Sequence, residues 1–217
     1  SKLFDFNRTI GYYPKSLTLS GSVLYGMTSN GGANDMGCIY KINTDGSGYT
    51  KLFDFSGTAD GRFPAGSLTL SGSELYGMTS NGGANNTGCI FKINTDGSGY
   101  TKLQDFSSLD GFDRGSFPMG ALTLSGTFLY GMTSQGGVNF NGLIFKININ
   151  GTGYKKLNDF DGTNGYNPCG SLTHSGTTLI GMTYRGGAYN NGVIFQINED
   201  GTGFTKLLDF DGTYNGN

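Results

Sequence analysis

A segment of about fifty residues occurs four times in this chain, and that periodicity restricts the fold more than any single motif does. The marker strings are LYGMTSNGG at 24–32, LYGMTSNGG at 75–83, LYGMTSQGG at 129–137 and LIGMTYRGG at 179–187. Measured from Gly26, Gly77, Gly131 and Gly181, the spacings are 51, 54 and 50 residues. A unit this short buries its apolar face only against its neighbours. Residues common to every copy are therefore expected to be scaffold. Chemistry is expected where the copies differ, or where one loop recurs around a face.

Composition narrows the class further. Forty glycines stand against four prolines, yet there are also 16 phenylalanines and 13 tyrosines. A disordered chain would lack those aromatics, and collagen would place glycine at every third position. Net charge is −2 with 14% charged residues, so there is no basic footprint for nucleic acid. No stretch approaches the ~20 apolar residues of a membrane span, so insertion into a bilayer is not expected. Cys38 and Cys89 occupy the same place in successive copies (GCIY, GCIF), where the later copies carry Leu143 and Val193. That equivalence marks a small buried apolar position. With Cys169, the three unclustered thiols make neither a disulfide framework nor a zinc site. No metal or cofactor is expected.

The second copy shows the unit most clearly. Residues 67–70 (SLTL) read as a first strand ended by Ser71-Gly72, and 74–80 (ELYGMTS) as a second running into the loop NGGANNTG. Residues 89–94 (CIFKIN) read as a third, followed by Asp96-Gly97-Ser98-Gly99 and a fourth at 100–106. Ser-Gly and Asp-Gly pairs are hairpin signals because glycine accepts the positive φ of tight turns. Four meandering strands per repeat make the blade of a β-propeller, an all-β fold. Such a blade lies between two neighbours, so both of its faces should be largely dry. The fourth-strand phenylalanines (Phe6, Phe55, Phe106, Phe160, Phe210) are expected to pack between blades. The mid-strand glycines Gly26, Gly77, Gly131 and Gly181 are expected where another backbone comes close.

The pattern of proline, SLT, LYGMTxxGGxxxxGxIFKI and DGSGY resembles the Gloeobacter/Verrucomicrobia-type tandem repeat, over essentially the whole chain. The resemblance implies a repeat architecture in a secreted or cell-surface bacterial protein. It implies no activity. The first copy departs modestly, with PKSL in place of PxGSL, and the fourth has Ile180 in place of tyrosine.

Blade limits are expected near 7–55, 56–106, 107–160 and 161–210, with an extra outer strand at 1–6. Five fourth strands against four sets of the other three suggest a segment of a longer array. Either four blades close on themselves, or two chains combine into a ring of roughly eight, which makes a homodimer a candidate assembly.

Strand alternation places the fourth-to-first connection and the second-to-third loop at one end of each blade, and the tight turns at the other. Variable loops on a rigid scaffold are where binding normally resides. The candidate ligand-binding residues on that end are Asn30, Asn81, Gln135 and Arg185 before the Gly-Gly pairs, and Asn34, Asn85, Asn139 and Tyr189 after them. With nearby aromatics (Phe63, Phe117, Phe140, Tyr166) they could hydrogen-bond and stack a sugar, although asparagine and glycine are also what sharp loops require. Asp54 and its equivalents are expected to cap local backbone N–H groups, and Asp45, Asp96 and Asp200 to shape hairpins. His174, the single histidine, replaces a leucine and has no partner evident from its position. The expected function is non-catalytic recognition or adhesion toward glycans or a protein partner. A structural or assembly role is the alternative, and a glycan-active hydrolase or lyase a third reading.

Overall fold

The structure is a computed structural model and describes residues 2–107 and 114–213. The chain forms two compact units, Ser1–Phe106 and Ser107–Asn217. In the first, β1 (Tyr12–Pro14), β2 (Thr18–Ser20), β3 (Val23–Asn30), β4 (Cys38–Asn43) and β5 (Thr50–Asp54) build one antiparallel sheet. The second sheet runs β6 (Arg62–Ser71), β7 (Glu74–Asn81), β8 (Cys89–Asn94) and β9 (Thr101–Asp105) in that order. β1 and β2 both pair with β3, so they are one interrupted first strand. In β6 the two halves are continuous, with the register shifting between Ala65 and Thr69.

The second unit repeats the meander twice. One sheet is β10 (Thr123–Ser125), β11 (Phe128–Thr133), β12 (Leu143–Asn148) and β13 (Lys155–Asp159). The other is β14 (Thr173–Ser175), β15 (Thr178–Met182), β16 (Val193–Asn198) and β17 (Thr205–Asp209). Here the front half of the first strand shrinks to single bridges, Ser116 to Gln135 and Tyr166 to Arg185. No described residue is helical. These are four propeller blades of four antiparallel strands, and every first strand is longer or more broken than the SLTL segment alone implies.

The third strands are the driest. Cys89, Ile90, Phe91 and Ile93 are at most 1% exposed although they alternate between the faces of the sheet. A strand buried on both faces needs apolar neighbours on both sides, and in the first unit the first blade supplies one of them, Tyr25, Met27, Ile39 and Phe55 packing with Phe91 and Ile93. In the first unit Phe55 is fully buried, edge-on to Phe91 with ring centroids 5.4 Å apart, while Phe53 stacks on Tyr100 at 4.1 Å. In the second unit Phe160 meets Phe195 at 5.4 Å and Phe204 at 6.3 Å. Burying one such ring stabilises the fold by about 1.5–3 kcal/mol. Phe210, the equivalent in the last blade, remains 37% exposed.

Two expectations change. Residues 2–6 form no strand. A fourth strand pairs with the third strand of its own sheet, and no described residue offers 2–6 that ladder. Its side chains nevertheless dock as outer strands do: Phe4 stacks on Tyr49 at 4.5 Å and Phe6 lies edge-on to Tyr40 at 5.1 Å. The mid-strand glycines, in turn, make room for side chains rather than for backbone. A Cβ on Gly77 would stand 2.5 Å from Phe91 Cζ and 3.1 Å from Leu68 Cδ2, and Gly26, Gly131 and Gly181 repeat the arrangement with Tyr40, Phe145 and Phe195.

Candidate functional site

At one end of each blade the second-to-third loop lies against the segment that enters the first strand. Gly32 N–H donates to Arg8 O at 3.0 Å, Gly83 N–H to Gly57 O at 3.0 Å and Gly187 N–H to Gly162 O at 2.8 Å. The first glycine of each Gly-Gly pair has no room for a side chain: a Cβ on Gly31 would be 2.6 Å from Gly11 Cα, and one on Gly186 would be 2.6 Å from Gly162 O. The second glycine abuts the outer-strand aspartate. Asp54, Asp105, Asp159 and Asp209 accept the N–H of Ala33, Ala84, Val138 and Ala188 at 2.9, 2.9, 3.1 and 2.8 Å. A lysine three residues earlier pairs with each carboxylate, as Lys102 does with Asp105 at 2.9 Å. The aspartate therefore latches a loop 21 residues upstream instead of capping its own neighbourhood.

The candidate amides are largely engaged within this latch. Asn34, Asn85 and Asn139 donate Nδ2–H to the carbonyls of Phe55, Phe106 and Phe160 at 2.9, 3.0 and 3.4 Å. Asn30 and Asn81 are half-buried, and their Oδ1 atoms accept the hydroxyls of Ser29 and Ser80. Gln135 is exposed. Of the candidate aromatics, Phe140 and Tyr189 are exposed, whereas Phe63, Phe117 and Tyr166 are half-buried.

The fourth blade departs from this plan. Tyr189 replaces the tethering asparagine and is 61% exposed. Tyr184 replaces a serine whose hydroxyl, in the other blades, donates to the carbonyl of Tyr13, Phe63 or Phe117. Its ring is 62% exposed, and the Arg185 guanidinium lies 5.5 Å from the ring centroid. Tyr184, Arg185, Asn190 and Asn191 line a depression of about 430 Å³. Tyr184 also borders a second, more apolar depression of about 430 Å³ with Cys169, Met182 and Phe210. Reading the sequence for shared motifs missed Tyr184. Comparing TYRGG with TSNGG copy by copy would have shown it.

The opposite end holds turns and two polar pairs. Asp45 Oδ1 accepts both the N–H and the hydroxyl of Ser47, and Asp96 and Asp200 do the same with Ser98 and Thr202. Those bonds, the hydroxyl first, hold the three carboxyls below their usual range. His174 Nε2 meets Glu199 Oε1 at 2.6 Å, a pairing the sequence did not reveal. A hydrogen bond from Ser125 leads the causes that lower the Glu199 pKa. Glu74 is lowered first by Lys92 at 2.6 Å and then by the Tyr76 hydroxyl at 2.6 Å. Among the described residues no cluster of three or more His, Cys, Asp or Glu side chains is placed to hold a metal.

The two buried thiols are structural. Cys38 Sγ lies 3.2 Å from both Thr28 Oγ1 and Ile10 O, and Cys89 lies 3.4 Å from both Thr79 Oγ1 and Asp60 O. Burial pushes the Cys89 thiol up to about 11.

Four antiparallel blades with latched loops define a propeller-repeat protein. The Gloeobacter/Verrucomicrobia repeat model matches residues 1–123 and 112–217, and the chain belongs to that family. Solved structures similar to it share the fold at low identity. A chain of a nidogen/laminin complex is 18% identical with a TM-score of 0.59, the match covering 85% of this chain and 59% of that one. TolB from Acinetobacter baumannii is 16% identical with a TM-score of 0.59, covering 92% and 43%. A Mycobacterium tuberculosis puromycin-hydrolyzing peptidase is 13% identical with a TM-score of 0.55, covering 91% and 29%. The match thus spans 59% or less of each of those chains. No curated protein matches it.

Proposed function

We propose that this chain is a non-catalytic recognition module of a secreted or surface protein, binding glycans through the loop-bearing end of its blades. The observation that carries this reading is the exposed pair Tyr184 and Tyr189 beside Arg185, Asn190 and Asn191 in the fourth blade. Aromatic faces stack on the apolar faces of sugar rings, while amide and guanidinium donors reach their hydroxyls. The shared asparagines shape the loops, so specificity falls to the residues in which the blades differ. The copy-specific acids and the histidine do not argue for hydrolysis. Glu74 is engaged by Lys92 and Tyr76, and His174 and Glu199 by each other, at the tight-turn end. A glycan array probed with the wild type and with Tyr184→Ala tests the reading. Binding by the wild type that the variant loses is expected. A wild type that binds no glycan, or turnover abolished by His174→Ala, overturns it.

One observation favours assembly as a second reading. On the last blade Leu207, Leu208 and Phe210 are 49%, 48% and 37% exposed, whereas Phe55 and Phe160 are fully buried under a following blade. An apolar blade face of this kind is an association surface. Light scattering showing a mass near twice 22.9 kDa without any glycan binding would support assembly in place of recognition.

A further inference from the structure

Position 62 is arginine only in the second copy, where the others have Tyr12, Ser116 and Tyr166. Its neighbour across the loop is position 86, and the two vary together in the first two blades. In the first, the Asp35 carboxylate leads the causes that raise the Tyr12 phenol pKa. In the second, Arg62 Nη2 donates to Asn86 Oδ1 at 3.1 Å. The blade that acquired the cation thus has a neutral amide where its neighbour has a carboxylate.

The guanidinium is held in place but not neutralised. Its carbon lies 5.2 Å from the Phe63 ring centroid, and Arg62 joins no ion pair among the described residues. Among the described residues one of its five N–H donors has a protein acceptor, Asn86 Oδ1, and the Nε–H lies buried inside the fold without one. The nearest acid in sequence, Asp60, is turned into its own loop, accepting the N–H of Ser56 and Gly57 and the Ser56 hydroxyl. Arg62, Asn86, Ser56, Thr58, Gly82 and Met36 line a cavity of about 120 Å³.

We propose that this cavity is a subsite for a single carboxylate group projecting from a small ligand. A carboxylate is planar and matches the fork of guanidinium N–H groups. Arg62 is the only cation among the lining residues, so a phosphate dianion would remain half-neutralised. The volume holds a carboxylate and its first carbon, and the rest of the ligand stays outside. This subsite lies in the first unit and the Tyr184 surface in the second, so each is tested separately.

The test follows the Arg62 Nε–H resonance of the isotope-labelled chain during titration with acetate and glucuronate, with sodium chloride and glucose as controls. Saturable shifts with both carboxylates and with neither control are expected. Asn86→Asp supplies the carboxylate internally. It should fold normally, because Asp35 already occupies the equivalent place and accepts the Gly31 N–H. It should raise the melting temperature and weaken acetate binding at least tenfold. Shifts that chloride reproduces, an absence of saturation, acetate binding unchanged in Asn86→Asp, or a lower melting temperature for that variant would each overturn the proposal.

Discussion

Gly77 and Phe91 face each other across the β7–β8 ladder, and the phenylalanine ring lies over the glycine, with Cζ 2.5 Å from where a Cβ would stand. The aromatic side chain reaches across its own sheet toward Leu68 of the first strand, and only a residue without a side chain lets it pass. The same pairing recurs in all four blades, which explains why this glycine is shared by every copy.

Gly77→Ala should therefore destabilise the chain by overpacking, by about 1–3 kcal/mol. At this size each kcal/mol lowers the melting temperature by about 2–4 °C. Combining it with Phe91→Leu should restore part of the loss, since the smaller side chain vacates the contested volume. Thermal denaturation of the single and double variants checks this, and an unchanged melting temperature for Gly77→Ala would contradict it.

Asp105→Ala should release the loop that Asp105 holds. The lost bond from Ala84 N–H has a charged acceptor, an interaction class contributing about 1.5–3 kcal/mol. Amide hydrogen exchange at Ala84 should accelerate, while amides within β8 remain protected. Asp105→Asn retains an oxygen acceptor and should lose less.

Thiol labelling should divide the cysteines. Cys169 is exposed, whereas Cys38 and Cys89 are buried with thiol pKa values raised chiefly by desolvation. The thiolate is the reactive species. One thiol should react in the native state and all three after unfolding. Fast native labelling of Cys89 would contradict its assignment to the core.

Acid should weaken the hairpins through Asp45, Asp96 and Asp200. Their pKa values are lowered in the fold, so the stabilisation is complete above the unfolded value of about 3.9. It is lost as pH falls through the lower folded values. The third blade carries Asn150 at this position, and Thr152 N–H still donates to its Oδ1 at 3.0 Å. Asp96→Asn should accordingly fold normally at pH 7 and show a shallower loss of stability below pH 4 than the wild type.

How much of this was legible in the sequence depended on the range of the interaction. Ser71-Gly72 and Asp96-Gly97 marked hairpins because turn chemistry is local. Cys38 and Cys89 read as buried because later copies place Leu143 and Val193 there. The Gly77–Phe91 contact was hidden, since it joins residues on different strands through a side chain, and the sequence suggested backbone proximity instead. The Asp105–Ala84 latch was hidden for the same reason, its partners being 21 residues apart. Residues 2–6 carry the fourth-strand pattern yet form no strand, because pattern specifies which side chains pack and not whether a ladder partner exists. Tyr184 and Arg62 are single departures inside otherwise shared strings, and their exposure and contacts follow from neighbours distant in sequence.

The central claim is that shared residues hold the blades and unlike residues bind. One paired measurement tests it most directly, a thermal melt and a glycan array on Gly131→Ala and Tyr184→Ala side by side. Gly131→Ala should melt several degrees lower than the wild type and keep its glycan profile when folded. Tyr184→Ala should melt with the wild type and lose that profile. The opposite assignment, with Tyr184→Ala unstable but still binding, would contradict the account.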